Sequence, residues 1–301
     1  MRHTHKLCAL VPSCEKNTLT DCHRPVELGT LSPVMLWRVF SHPIRFTSRL
    51  CRFLVMLTRA GLDGFRMRLK GAVSRRERNQ WMMKWSRNVS ASLDVKVTVH
   101  GKPPEQGMLV ANHLSYLDII VLGTTTPATF LSKAEVRWWP AIGWLTQFAG
   151  TLYVKREKKR DLHALAESFA DVWDENALIV MFPEGTSSNG ETILPFRSSL
   201  LKPACDKQQP VTPAYVSYEC EGGALIDDVY FWGDMAFAPH LIRMLCLKSV
   251  RAHITFGETR YPKDQDRKQI TKLLWEDVIR MHKSHLPAGQ APPPSIPNNP
   301  N

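Results

Sequence analysis

The segment Asn112-His113-Leu114-Ser115-Tyr116-Leu117-Asp118 sets an imidazole and a carboxylate five residues apart. A hydroxyl is a weak nucleophile near neutral pH. Its attack on an acyl carbon needs a base within hydrogen-bond reach and a third group that fixes the tautomer of that base. His113 and Asp118 are of the right types for those two roles. Inside one helix they would lie about 140° out of phase, so they meet only if His113 sits in the turn before a helix and Asp118 in its first turn. Ser115 and Asp118 form an S-x-x-D capping pattern that would start a helix at Ser115. A plainer reading is open too, in which both residues cap a helix and His113 is structural. A second polar cluster, Pro183-Glu184-Gly185-Thr186, follows the apolar run Ala177 to Phe182.

The elements that must position these clusters alternate between strand and helix patterns. Val95, Val97 and Val99 recur at period two, and Met108 to Ala111 is a short apolar run. Further strands are expected at Thr151 to Val154, Ala177 to Phe182, Val211 to Tyr218 and His253 to Phe256, with helices at Leu162 to Trp173 and from about Asp264 to Lys283. The run 177 to 182 is apolar throughout, as a strand covered on both faces should be. The pattern predicts an α/β fold with a mixed, largely parallel sheet flanked by helices. In such sheets ligands gather beyond the carboxyl ends of the strands, which is where both polar clusters fall.

N-H-x-S-x-x-D at 112 to 118 followed by F-P-E-G-T at 182 to 186 resembles the glycerolipid acyltransferase family, best known from the PlsC-type 1-acylglycerol-3-phosphate acyltransferases. Two weaker blocks fall in the family's order, Gly150-Thr151-Leu152-Tyr153-Val154-Lys155-Arg156 and Val211-Thr212-Pro213-Ala214. The resemblance covers about residues 80 to 260. It implies transfer of a fatty acyl group from acyl-CoA or acyl carrier protein to a lysophospholipid hydroxyl, with 1-acylglycerol-3-phosphate as the first acceptor to consider. His113 would be the general base and Asp118 its orienting partner. Arg156, Glu184, Gly185, Thr186, Asn112 and Ser115 would bind substrate, and no metal or further cofactor is implied. The apolar residues Trp138, Trp139, Ile142, Trp144, Leu145 and Phe148 suit an acyl groove, a membrane-facing rim or plain core packing.

The chain departs from the phosphatidate-forming pattern at two places. Ser187-Ser188-Asn189-Gly190 stands where those members often carry Arg-Ser, and Arg197 is followed by Ser198 instead of glycine. A small hydroxyl residue after F-P-E-G-T resembles branches that acylate other lysolipids, amino-acid lysolipids included. Two rivals from other classes are weaker. Ser199-Leu200-Leu201-Lys202 matches S-x-x-K, yet neither S-D-N nor K-T-G accompanies it. A non-catalytic lipid-binding protein would share the basic character but has no use for His113 beside Asp118.

The 301 residues carry a formal charge of +11 and a sequence pI near 9.4, which favours an anionic partner. The basic residues are dispersed and no nucleic-acid module is evident, so an anionic membrane surface is expected and nucleic acid is not. Seven cysteines form no C-x-x-C pair, which fits a reducing compartment. No secretory signal and no run of about 20 apolar residues is found. Residues 1–32 read as a poorly ordered leader, 33–93 as a helical, membrane-interfacial segment, 94–285 as the α/β domain and 286–301 as a disordered Pro-rich tail. Within 33–93, Phe46, Leu50, Phe53, Leu54 and Leu57 form an apolar stripe bordered by Arg45, Arg49, Arg52 and Arg59. That pattern predicts an N-terminal amphipathic membrane-binding helix with its arginines at lipid headgroups; the alternative is a helix packed on the domain. The expected location is the cytoplasmic face of the cell membrane, peripheral or monotopic.

Overall fold

The computed structural model describes residues 33–139, 142–154, 159–262 and 266–285. The leader 1–32, the tail 286–301 and Arg156 lie outside the described residues. Three helices come first, α1 (Pro33–Ser41), α2 (Pro43–Leu69) and α3 (Arg75–Ser92). A capping box starts α3, in which Ser74 and Glu77 satisfy each other's backbone N–H groups. The α/β part then runs β1 (Val95–His100), β2 (Gly107–Ala111), α4 (Leu117–Gly123), β3 (Ala128–Lys133), α5 (Ile142–Phe148), β4 (Leu152–Val154), α6 (Lys159–Asp174) and β5 (Leu178–Met181). It ends with α7 (Ser198–Asp206), β6 (Val211–Glu221), α8 (Leu225–Asp228), α9 (Phe237–Cys246), β7 (Ser249–Phe256) and α10 (Arg267–His285). A 3₁₀ turn, Ala134–Trp138, precedes α5.

The seven strands form one sheet in the order β1-β7-β6-β2-β5-β3-β4, parallel throughout except where β6 meets β7. Alternation along the central strands divides the core in two. Leu109, Ala111, Leu178 and Val180 face the layer that holds α2, α3 and α9, while Met108, Val110, Ile179 and Met181 face α6, α7 and α10. Register fixes the site: Val110 pairs with Met181 and Ala111 with Ala214, so the loops leaving β2 and β5 emerge side by side. β3 was not foreseen from the sequence. Its A-T-F-L-S-K is too short and mixed to show a period, although its first four residues are buried.

The expectation for α2 needs correction. Of the stripe assigned to lipid, all but the half-exposed Leu54 turns inward: Phe53 is buried, and Phe46, Leu50 and Leu57 pack against the core. Arg49 is 3% exposed, pairs with Asp94 at 2.8 Å and donates to the carbonyls of Leu247 and Lys248. Arg52 also holds Asp94, at 2.8 Å, and Arg45 reaches the Cys246 carbonyl. These arginines dock the helix on the domain. The opposite face carries a second apolar row, Ile44, Val55, Leu62, Phe65 and Leu69, all about half exposed or more. On α1, Trp37 and Phe40 are equally exposed. No helix among the described residues is long and apolar enough to cross a membrane.

Candidate active site

β2 ends at Ala111, and the chain turns before α4 begins at Leu117. His113 lies in that turn and Asp118 in the first turn of α4, the arrangement their spacing requires. His113 Nδ1 and Asp118 Oδ2 are 2.7 Å apart. A carboxylate can only accept, so Nδ1 carries a proton, and in the neutral ring Nε2 is the nitrogen with the free lone pair. The same Oδ2 accepts from the backbone N–H of Leu114 and Ser115 at 2.7 and 2.9 Å, and Oδ1 accepts from the Tyr218 hydroxyl at 2.6 Å. Capping and orientation are therefore one structure: Asp118 closes the turn and holds the imidazole at once. Ser115 Oγ accepts from Leu117 N–H instead of Asp118 N–H, so the helix starts two residues later than the capping pattern predicts. Burial, then the Asp118 charge, holds the Tyr218 phenol well above its ordinary pKa, so it remains a donor.

The loop after β5 supplies the other wall. Phe182 stacks on the His113 ring at 4.1 Å and 12°. Glu184 is buried; its Oε1 accepts from His113 N–H at 3.3 Å, and Oε2 has no hydrogen-bond partner among the described residues. Gly185 has φ of +82°, and a Cβ there would stand 2.8 Å from Arg197 Nε, so only glycine fits the turn. Thr186 is exposed. Asn112 is buried, its amide donating to Val216 O at 2.9 Å and accepting from Val216 N–H at 2.7 Å, which ties the start of the His113 turn to β6.

Burial, reinforced by the nearby Asp118 charge, pushes the Glu184 carboxyl up to about 9 against the pull of its backbone donors. The folded chain thus holds a proton that the unfolded chain releases above its ordinary value of 4.5. The stabilisation is full below that value and is lost as pH rises through about 9. His240, whose imidazole burial lowers from 6.5 to about 4, changes stability only up to about pH 6.5, so the range above pH 7 reports Glu184. The urea midpoint is expected to fall between about pH 7 and 9 in the native protein and to flatten in Glu184→Gln. An unchanged slope in that variant would assign the proton elsewhere.

His113 opens on an apolar cavity of about 320 Å³. Phe53 and Met56 of α2, Trp81 and Trp85 of α3, and Phe237 and Met244 of α9 line it. Gly185, Thr186 and Ser187 form its rim beside His113. Of the apolar residues singled out in the sequence, Trp139, Ile142 and Leu145 line this channel, Trp138 is 81% exposed, and Phe148 is core. Tyr218 and the α2–α3 wall were not anticipated. Tyr218 lies four residues beyond the Val211-Thr212-Pro213-Ala214 block, and only the extension of β6 past that block would have pointed to it. Ser199 and Lys202 sit on α7, with Lys202 paired to Asp206.

Residues 96–217 match the Acyltransferase family. Among similar proteins, a lyso-ornithine lipid O-acyltransferase of Pseudomonas aeruginosa is 36% identical over 71% of this chain and 82% of its own. A 1-acyl-sn-glycerol-3-phosphate acyltransferase of Neisseria meningitidis is 29% identical over 76% and 93%. The crystal structure of the 1-acyl-sn-glycerophosphate acyltransferase PlsC from Thermotoga maritima superposes with a TM-score of 0.62 at 18% identity, covering 82% of this chain and 97% of that one. The last likeness establishes the fold. Matched residues, identity and coverage together place the chain in the acyltransferase family, among the lysophospholipid-type O-acyltransferases.

Proposed function

We propose that the protein transfers a fatty acyl group from acyl-CoA or acyl carrier protein to the hydroxyl of an amino-acid lysolipid of the lyso-ornithine type, with His113 as general base. The observation that carries the mechanism is the 2.7 Å His113–Asp118 pair opening on an apolar channel. The acceptor O–H gives its proton to Nε2 as the oxygen attacks the thioester carbonyl. The C–S bond then breaks and the imidazolium returns the proton to the departing thiolate, leaving an ester and a free thiol. Asp118 stabilises the imidazolium meanwhile. Base catalysis of this kind supplies about 10²–10⁴-fold, or roughly 3–5 kcal/mol. Two observations favour the acceptor: Ser187 and Ser188 after F-P-E-G-T, and the Pseudomonas relative. Lysophosphatidate is the second reading, favoured by the Neisseria relative and by the Arg197 guanidinium lying over Gly185, where a phosphate would find it. Arg156 would add charge-assisted bonds to the acceptor head.

The exposed row Ile44, Val55, Leu62, Phe65 and Leu69, with Trp37 and Phe40, supports a peripheral or monotopic seat on the membrane. We place that seat on the cytoplasmic face, where acyl-CoA or acyl carrier protein would be met, as part of the same proposal. The test presents lyso-ornithine lipid, lysophosphatidate and other lysophospholipids in anionic vesicles with a labelled acyl thioester. Diacyl product forms fastest from lyso-ornithine lipid, and Leu62→Glu/Phe65→Glu loses vesicle binding with its product. Turnover of lysophosphatidate alone would promote the second reading. Vesicle binding without product from any acceptor would favour a lipid-binding protein, and normal vesicle binding by the double variant would remove the membrane face.

A further inference from the structure

A second cavity, of about 850 Å³, lies behind the channel and has the opposite character. Arg68 from the last turn of α2, Arg75 and Arg78 from the start of α3, and Arg137 from the 3₁₀ turn line it, together with Thr151 and Tyr153. Glu175 is the one acidic residue of that lining and pairs with Arg75 at 3.0 Å. Among the described residues, Arg68, Arg78 and Arg137 form no ion pair. Arg137 is held by a reciprocal pair of bonds with Gln147: its Nε donates to the amide oxygen at 3.2 Å, and its carbonyl accepts from the amide nitrogen at 3.2 Å. Its Nη groups make no hydrogen bond to a described residue, and the guanidinium lies 6.0 Å over the Tyr153 ring. Arg78 donates Nε to Val73 O at 3.2 Å and lies across Gly150, where a Cβ would stand 3.3 Å from its Cδ. Four guanidiniums with one carboxylate, two of them held by backbone or amide contacts, describe a site for an anion of more than one charge.

The cleft and the catalytic channel share a wall. Thr151 lines both, and neighbours in sequence divide between them: Val136 lines the channel and Arg137 the cleft, while Val154 lines the channel and Tyr153 the cleft. An acyl thioester has a matching division, with an apolar chain at one end and a phosphate-bearing pantetheine head at the other. That head is common to acyl-CoA and acyl carrier protein, whatever the acceptor. We propose that this arginine cleft binds the phosphate-bearing head of the acyl donor while the acyl chain occupies the channel beside His113. The assignment rests on the acyl-transfer reading given above.

Arg68 and Arg137 are exposed and form no ion pair with a described residue, so Arg68→Gln/Arg137→Gln should fold normally, which a melting curve checks. Coenzyme A without an acyl group is titrated into the full chain by calorimetry, and donor and acceptor KM are measured separately. The double variant is expected to bind coenzyme A at least about tenfold more weakly and to raise donor KM by a similar factor. kcat and acceptor KM stay unchanged, and the salt dependence of donor KM weakens. Unchanged donor KM and unchanged coenzyme A affinity in an active variant would overturn the cleft and leave the acyltransferase reading standing. A rise in acceptor KM alone would overturn it by assigning the cleft to the acceptor head, and a loss confined to vesicle binding would overturn it by assigning the cleft to the membrane surface. If the wild type turns over no acceptor, the calorimetric arm still decides whether the cleft binds the donor head.

Discussion

His113→Ala is expected to lower kcat by about 10²–10⁴-fold without unfolding the protein. The size follows from what is removed: no other described group holds a lone pair beside the channel with a carboxylate 2.7 Å behind it. The fold survives because the imidazole is peripheral to the network it joins. Without it, Asp118 Oδ2 still accepts from Leu114 and Ser115 N–H, and Oδ1 still accepts from Tyr218. The lost stack on Phe182 opens toward a cavity that already exists, so the penalty for an unfilled core is small. The check is an initial rate at saturating donor and acceptor beside a thermal melt. Turnover within a few-fold of the wild type would show that the acceptor hydroxyl loses its proton to another group.

The site was legible where chemistry and local geometry coincide. A histidine and an aspartate five apart can meet only across a turn into a helix, and the apolar runs at 108–111 and 177–182 were enough to put that turn and the F-P-E-G-T loop at one end of a sheet. What was not legible depends on partners distant in the chain. Tyr218 reaches Asp118 because Ala111 is in register with Ala214 and β6 continues beyond it, a fact of pairing that no spacing encodes. Glu184 reads in the sequence as a carboxylate for the substrate head. Its burial and its bond to His113 N–H add a role that the sequence did not show, a support under the turn.

The N-terminal helices show the same limit in another form. α2 is 27 residues long and carries apolar rows on two faces. Periodicity identifies each row but not which one meets protein. The decision was made by Asp94, held in the left-handed region at φ of 54°, and by the carbonyls at the end of α9, which together capture Arg49 and Arg52 and so fix the rotation of the helix. An arginine beside an apolar stripe reads equally as a headgroup ligand or a docking pin.

Asp118→Asn is expected to lower kcat nearly as far, by about 10²–10⁴-fold, while leaving the melting temperature close to that of the wild type. Asparagine is the informative change because the site can accept it. Its amide oxygen can take the place of Oδ2 and receive the three N–H donors. Its NH₂ then faces Tyr218, whose hydroxyl can turn from donor to acceptor. Asp118→Ala would instead strand a buried phenol and two backbone N–H groups, at about 1–3 kcal/mol each, and so mix instability with lost chemistry. In the asparagine variant His113 keeps its proton on Nδ1 and its place on Phe182, and only the negative charge behind the imidazolium is gone. A loss of this size with a normal melt would show that the charge, beyond mere orientation, lowers the barrier. Retention of a tenth or more of wild-type turnover would reduce Asp118 to the helix cap that the plainer reading of the sequence allowed.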